Sequence, residues 1–351
     1  LRRDALQALR PPTKQPLSAW LESHVNLPSS IAAQPGKMRL WRHQEAIADS
    51  IGDPTAERVT VLKSARVGYT QLLVGAVGHF TVNDPGPILA VLPAEADCRH
   101  FMTGAVEPTF AESPTLRAAL QADSTGRDTM LSRSFPGGSL AVVSARAPRN
   151  LRARTARVLF LDEVDGFEID VRGEGDPVAL AEKRTLSYGN RKIVMGSTPV
   201  DEETSRILRA YRQSDRRVFE CPCPQCSDFH EIKWADIRWD SDKPETAHWV
   251  CPSCGCVTNE TAKPAMVSAG RWRATAPDVK GHHGYRMNAL ISLLPNAAWG
   301  KLAAEFLEAK RSPETLKAFT TTILAEPWRS LGDEVDPASL RALSRPHGLA
   351  A

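Results

Sequence analysis

From Val59 to Thr198 the chain alternates short apolar runs with amphipathic stretches. Val59–Leu62, Ile88–Leu92, Leu140–Ser144, Val158–Leu161 and Lys192–Gly196 each read as a strand buried on both faces. Between several of them the apolar positions recur at helical spacing, as at Gln71–His79 and Ala94–Met102. Continuous apolar strands separated by helices predict a largely parallel α/β sheet flanked by helices. Residues 1–50 read as helical, with joints at Pro11-Pro12 and Pro35-Gly36. The stretch Cys221–Cys256 is different: polar, rich in Cys and Pro, with little helix. After it, Ala297–Lys310 and Pro313–Leu324 resemble two amphipathic helices. The tail beyond Trp328 carries Gly332, Pro337 and Pro346 and reads as a linker.

Composition adds modest limits. The 351 residues are 42% hydrophobic and 24% charged, ordinary for a soluble protein of one large domain or two modest ones. No apolar run approaches the ~18 residues of a membrane span, and Leu1-Arg2-Arg3-Asp4 does not open a signal peptide. The net charge of +3 permits nucleic-acid binding without demanding it. Charge is locally concentrated: Arg146, Arg149, Arg152, Arg154 and Arg157 fall within twelve residues that contain no acid. Such a run is either a functional basic patch or a solvated loop. Six of the seven cysteines lie between Cys221 and Cys256. Clustering of this kind without a secretion signal favours a metal over disulfides, and a reducing cytoplasm.

A phosphate-binding loop requires a strand, a tight turn of exposed N–H groups and a helix N-terminus. Val59–Leu62 runs into Lys63-Ser64-Ala65-Arg66-Val67-Gly68-Tyr69-Thr70. Against G-x-x-x-x-G-K-[ST], only two anchors survive: Gly68 fits the second glycine and Thr70 the Mg²⁺-binding hydroxyl. Lys63 stands in place of the first glycine and Tyr69 in place of the lysine. One cation near the β/γ-phosphates is the physical need, and Lys63 can reach back to supply it, with Arg66 assisting in cis. A surface turn with incidental charges is the plainer alternative.

The second half of the pattern strengthens the first. Val158-Leu159-Phe160-Leu161 ends in Asp162-Glu163, and carboxylates at a buried strand end are costly unless they meet a metal or a cation. Asp162 would hold Mg²⁺ through water, and Glu163 would polarise the attacking water of phosphoryl transfer. A further strand ends Gly196-Ser197-Thr198-Pro199, and small hydroxyls there can sense a γ-phosphate. Upstream, Trp41-Arg42-His43-Gln44 offers an aromatic ring to stack on adenine and a Gln44 amide to read its edge. It reads equally as a helix start with a buried Trp.

Cys223-Pro224-Gln225-Cys226 and Cys251-Pro252-Ser253-Cys254 are two C-P-x-C knuckles, each pointing two thiolates at one centre. The pairing suits tetrahedral Zn²⁺ in a ribbon. Four thiolates leave no open coordination position, so the expected zinc is structural. Cys221 and Cys256 flank the set as alternate ligands, ahead of His230 and His248.

These residues resemble those of the lambda-like (GpA) terminase large subunits. The loop Lys63–Thr70 resembles their deviant Walker A, Leu161-Asp162-Glu163-Val164-Asp165 their Walker B, and Gly196-Ser197-Thr198-Pro199 their coupling motif. Trp41–Gln44 looks like their adenine motif, and the knuckles also fit. The resemblance spans roughly Leu17 to Trp328. One departure is Gln71, where some members carry a second lysine; that leaves more of the phosphate contact to Lys63 and Arg66. The resemblance implies a P-loop NTPase (ASCE/RecA-like) that uses ATP and Mg²⁺ to package viral double-stranded DNA. It implies a small terminase subunit, the portal of the procapsid and a homo-oligomeric ring as partners, in the host cytoplasm. It also implies a C-terminal metal-dependent endonuclease. Phosphoryl transfer itself calls for an arginine near the developing phosphate charge, expected from a neighbouring subunit, and Arg146, Arg149, Arg152 and Arg154 are the candidates for it or, alternatively, for DNA-phosphate contacts. Beyond Trp328 only Asp333, Glu334 and Asp336 are available for such a nuclease, so the chain reads as the ATPase half, its nuclease removed or disordered. The division expected is an N-terminal segment at 1–50, the core at 51–215, a zinc ribbon at 216–262, the rest of the ATPase domain at 263–330 and a linker at 331–351. Two other readings compete. A helicase of another family needs a second RecA-like lobe, for which too little chain follows Pro199. A non-enzymatic zinc-ribbon DNA-binding module leaves Asp162 and Glu163 unexplained.

Overall fold

The apolar runs become the centre of one sheet. In the computed structural model, which describes residues 15–32, 34–121, 128–152, 154–171 and 173–329, the first helix is α1 (Leu17–His24). A two-residue ladder of β1 (Asn26–Leu27) and β2 (Gly36–Lys37) follows, and then α2 (Arg42–Gly52). Next come β3 (Arg58–Lys63), α3 (Tyr69–Val82), β4 (Ile88–Leu92), α4 (Glu95–Phe101), α5 (Glu107–Glu112) and α6 (Pro114–Gln121). The core continues with β5 (Ser132–Phe135), β6 (Gly138–Ser144), α7 (Pro148–Arg152), β7 (Val158–Asp162), α8 (Pro177–Glu182), β8 (Lys192–Ser197) and α9 (Arg206–Arg212). All five strands expected from the apolar runs form, as does the helix expected around Gln71–His79. That helix, α3, is buried along nearly its whole length, which is why its apolar residues are not confined to one stripe.

The later chain returns to the same sheet. β9 (Arg217–Pro222), β10 (Phe229–His230), β14 (Arg271–Ala274) and β15 (His282–Met287) join it. The strand order is β10-β9-β15-β3-β8-β7-β4-β6-β5, with β14 also paired to β9. From β9 to β6 every neighbouring pair is parallel; β5, β10 and β14 are antiparallel additions. β8 is thus inserted between β3 and β7. The tips of three motif-bearing strands stand side by side at the carboxyl edge, where open α/β sheets bind ligands.

β9 falls in the stretch assigned to the ribbon at 216–262, yet it is hydrogen-bonded into the main sheet. The ribbon itself is β11 (Ile237–Asp240), β12 (Lys243–Val250) and β13 (Val257–Asn259), an antiparallel three-stranded sheet. It leans on the two expected C-terminal helices, α11 (Trp299–Ala309) and α12 (Pro313–Thr322), which follow the short α10 (Lys263–Ser268). The Trp234 ring centre lies 5.7 Å from that of Trp239, 5.1 Å from Phe306 and 5.2 Å from Phe319, in tilted and edge-to-face contacts. Gly300 on α11 lies so close to β12 that an added Cβ would be 3.1 Å from Glu245 Cα. Among the described residues no helix is long and apolar enough to cross a membrane.

Burial leaves an acid-labile feature in this core. His43 and His79 are 0% and 6% exposed, and burial pushes each imidazole down to about 4. The folded pKa lies below the unfolded value near 6.5, so the unfolded chain takes up protons first. The stability contributed by keeping these rings neutral is present above pH 6.5 and is lost as pH falls towards 4. The two together amount to on the order of 2–3 kcal/mol per pH unit in that window. Thermal melts between pH 7 and pH 4.5 are expected to show this decline, with a shallower slope in His43→Leu. A melting temperature flat across that range would contradict it.

Candidate functional site

β3 delivers Lys63 to the carboxyl edge, where its side chain is 8% exposed. The chain then turns tightly, with Arg66 at φ 65° and Gly68 at φ 71°, into the N-terminus of α3. Only a glycine suits position 68: the backbone is left-handed, and a Cβ would lie 2.5 Å from Gln44 Nε2. No side chain caps the helix at Gly68. Its first N–H groups have no intrahelical acceptor and suit an anion. Thr70, in the first turn, is exposed.

Gln44 is buried and used by the protein. Its Oε1 accepts from Trp41 N at 2.9 Å and its Nε2 donates to Val67 O at 3.0 Å. The side chain expected to read adenine therefore fixes the loop, while Trp41 stands half-buried at the start of α2.

The acid pair lies opposite. Asp162 ends β7 and is 8% exposed; burial raises its pKa to about 6, the positive charge of Lys63 opposing the shift. Glu163 sits at φ 53°, a left-handed conformation that costs a non-glycine residue roughly 1–2 kcal/mol. That turn aims its carboxylate across the strand tips. Lys63 Nζ donates to Glu163 Oε1 at 2.5 Å. Ser197 Oγ and Thr198 N donate to Glu163 Oε2 at 3.2 Å and 3.3 Å. The loop lysine, the acid and the hydroxyl tip thus meet at one carboxylate. A cleft of about 490 Å³ between α8 and α9 lies away from them, over the start of β3 at Arg58–Thr60.

Arg66 is not turned towards the acids. Its guanidinium donates to Glu305 Oε2 on α11 at 2.8 Å and to the Asn296 carbonyl at 3.1 Å. The C-terminal segment also grips the loop backbone: Ala65 N donates to Thr322 O and Ser64 N to Met287 O. Sequence reading missed Glu305, which lies 239 positions from Arg66 and carries no motif. It also gave no role to Asp165, although the Asp-Glu-Val-Asp spacing was a signal. Asp165 N donates to Ser197 Oγ at 3.3 Å, and its carboxylate accepts from Val200 N at 3.1 Å and Ile207 N at 2.8 Å. It ties the acid strand to the loop after β8 and to the start of α9.

The arginine run is less free than its sequence suggests. Its members find acids elsewhere in the chain: Arg146 pairs with Glu168, Arg152 with Glu174, and Arg157 with Asp84. Arg157 is 7% exposed and lies over the Phe80 ring, a structural cation. Arg149 and Arg154 are exposed. Arg149 lies on α7, just past the carboxyl end of β6, whereas Arg154 borders Pro87 and Ser139 at the opposite end of the sheet.

The Sγ atoms of Cys223, Cys226, Cys251 and Cys254 all lie within 4.8 Å of one another. Cys223 is 3.8 Å from Cys254, and Cys226 is 3.8 Å from Cys251. Zinc–sulfur bonds of about 2.3 Å in a tetrahedron require S···S distances near 3.8 Å, so the donor set is compatible with zinc. Cys256 Sγ is 3.2 Å from Cys223 Sγ but is not one of the four mutually close sulfurs. Cys221 is fully buried on β9, and burial pushes its thiol up to about 12. His230 and His248 bond to Ser253 Oγ and Thr246 O.

Comparison with known proteins gives the chain a family. The family model described as phage terminase large subunit gpA, ATPase domain, matches residues 32–272. The model for the endonuclease domain of the same subunit matches residues 282–349. The described part of that second stretch supplies β15, α11 and α12 to the ATPase body; residues 330–349, including Asp333, Glu334 and Asp336, lie outside the described residues. The chain is 28% identical over 344 residues to the terminase large subunit of Enterobacteria phage P21, covering 90% of this chain and 53% of that protein. It is 27% identical over 369 residues to that of Escherichia phage lambda, covering 98% and 58%. The chain thus spans about half the length of the curated relatives it matches. Its fold is similar to that of the HK97 bacteriophage large terminase, with a TM-score of 0.54 at 14% identity over 89% of this chain and 54% of that one. With the matched region extending from before α2 to β14 and holding the loop, the acid pair, the hydroxyl tip and the cysteine knuckles, the chain belongs to the family of phage terminase large subunit gpA ATPase domains.

Proposed function

We propose that the chain is the ATP-hydrolysing motor of a viral DNA-packaging machine, translocating double-stranded DNA into a procapsid. The observation that carries this reading is the convergence of Lys63, Ser197 and Thr198 on the Glu163 carboxylate. Lys63 Nζ has Glu163 Oε1 as its partner. A triphosphate on the loop gives Lys63 a new partner and leaves Glu163 to orient and polarise a water against the terminal phosphoryl group. Ser197 and Thr198 carry the change in Glu163 into the loop after β8. Thr70 and Asp162 would hold Mg²⁺, which when bound neutralises charge on the phosphate oxygens. Trp41, whose backbone is tied to the loop through Gln44, would flank the base.

The same reading assigns a structural Zn²⁺ to Cys223, Cys226, Cys251 and Cys254. It takes the small terminase subunit, the portal and further copies of this chain as partners, in the host cytoplasm. It divides the chain into the helical segment at 1–50, the core at 51–215, the ribbon at 216–262, the remainder of the ATPase domain at 263–330 and a linker at 331–351. Translocation is tested by displacement of a triplex-forming strand from linear duplex DNA. ATP-dependent displacement that Lys63→Ala abolishes is expected, and none with active protein would contradict a motor.

Arg149 is the member of the arginine run best placed to act on a neighbouring subunit's nucleotide, because it is exposed at the carboxyl end of the sheet. Arg149→Ala is expected to lower DNA-free turnover while leaving the salt slope of DNA affinity unchanged. Mixing it with Lys63→Ala subunits is expected to restore part of the activity. A salt slope reduced by about one, with turnover intact, would make Arg149 a DNA-phosphate contact instead.

A further inference from the structure

Tyr69 occupies the position where a G-x-x-x-x-G-K-[ST] loop carries its lysine, and it is 3% exposed. Lys63 Nζ lies 5.2 Å from the centre of its ring, within cation–π range. On the sheet side, a Cβ at Gly196 would fall 2.4 Å from the phenol oxygen and from two ring carbons. The glycine is therefore needed for the ring to reach the strand tip. Gly196 is in register with Asp162 on one side and Val61 on the other. The phenol thus covers the strand row that carries Asp162.

The hydroxyl in this corner is buried and has no hydrogen-bond partner among the described residues. Buried tyrosine hydroxyls ordinarily have one. The phenol hydroxyl can donate one hydrogen bond and accept others. Its cationic neighbour Lys63 offers no acceptor. The oxygens that would enter here with a nucleotide are those of the phosphates and of water on a cation held by Thr70 and Asp162.

We propose that the Tyr69 hydroxyl is a hydrogen-bond donor to the magnesium–phosphate group of bound nucleotide, a contact made by the residue that replaces the usual loop lysine. The inference rests on the nucleotide-site reading above. It explains together the unpaired hydroxyl, the absence of a side chain at position 196 and the displacement of the cation to Lys63.

The test is Tyr69→Phe, which keeps the ring over Lys63 and removes only the oxygen. Two quantities are measured: the thermal midpoint of the nucleotide-free protein, and the affinity for ADP and a slowly hydrolysed ATP analogue with Mg²⁺ or with EDTA. The expected result is a midpoint equal to or above wild type, because an unpaired buried hydroxyl is removed. Affinity with Mg²⁺ should fall about tenfold, as for one lost bond to a charged group, with a smaller loss in EDTA. A lowered midpoint, with or without weaker binding, would make the hydroxyl structural and overturn the proposal. Unchanged affinity would overturn it as well. Wild-type protein that binds neither nucleotide would instead refute the nucleotide site itself.

Discussion

Glu163→Gln is expected to bind ATP with close to wild-type affinity and to lose turnover by about 10²–10⁴-fold, the usual contribution of a positioned base. Glutamine keeps an oxygen for Ser197 Oγ and Thr198 N, which bond to one carboxylate oxygen, so the coupling strand should hold its place. What it cannot do is accept a proton or neutralise Lys63, whose ammonium lies 2.5 Å from the other oxygen. Removing that charge also frees Lys63 for phosphate, so binding should be preserved or tightened. Binding by a fluorescent nucleotide and single-turnover hydrolysis separate the two effects. Unchanged turnover would remove Glu163 from its role, and lost binding would make it a structural partner of Lys63.

Loss of the zinc proposed at Cys223, Cys226, Cys251 and Cys254 is expected to have the other large effect. Structural zinc contributes an apparent ~10–16 kcal/mol in small domains at neutral pH, more than the whole stability of most folds. Protein purified without added zinc should carry about one equivalent per chain. Cys251→Ser with Cys254→Ser should abolish it and melt β11–β13. The damage should spread. Trp234 and Trp239 pack on Phe306 and Phe319, and α11 also carries Glu305, the partner of Arg66. Nucleotide affinity should therefore fall in the same variant, although no cysteine belongs to the nucleotide site. Absence of metal, with the four thiols free or in disulfides, would overturn the ribbon. Normal nucleotide binding after metal loss would refute the coupling.

The parts legible in the sequence were those with one local cause. β4 and β7 are apolar on both faces, so periodicity alone marked them, and the acids and hydroxyls at strand ends stood out against that background. β15 was missed because it is written His-His-Gly-Tyr-Arg-Met. Its polar side chains are satisfied internally, His282 by Thr60 Oγ1 at 2.8 Å and His283 by Ser50 Oγ at 2.8 Å. β9 was absorbed into the cysteine-rich stretch because its last residues, Cys221 and Pro222, open that stretch immediately before the first knuckle. Long-range pairing accounts for the rest. Arg66 looked free to reach phosphate but finds Glu305, and the arginine run looked unpaired because Glu168, Glu174 and Asp84 lie outside it. Gln44 looked like a ligand reader; its hydrogen bonds to Trp41 and Val67 arise from how α2 packs beside the loop.

The central claim is that the three strand tips around Glu163 form an ATP-hydrolysing site that works on DNA. Steady-state phosphate release, followed with Mg²⁺ in the presence and absence of linear duplex DNA, tests it most directly. The result expected is Mg²⁺-dependent turnover that DNA stimulates and that Lys63→Ala and Glu163→Gln each remove. Turnover that survives both substitutions, or none in the wild-type protein at any DNA concentration, would contradict it.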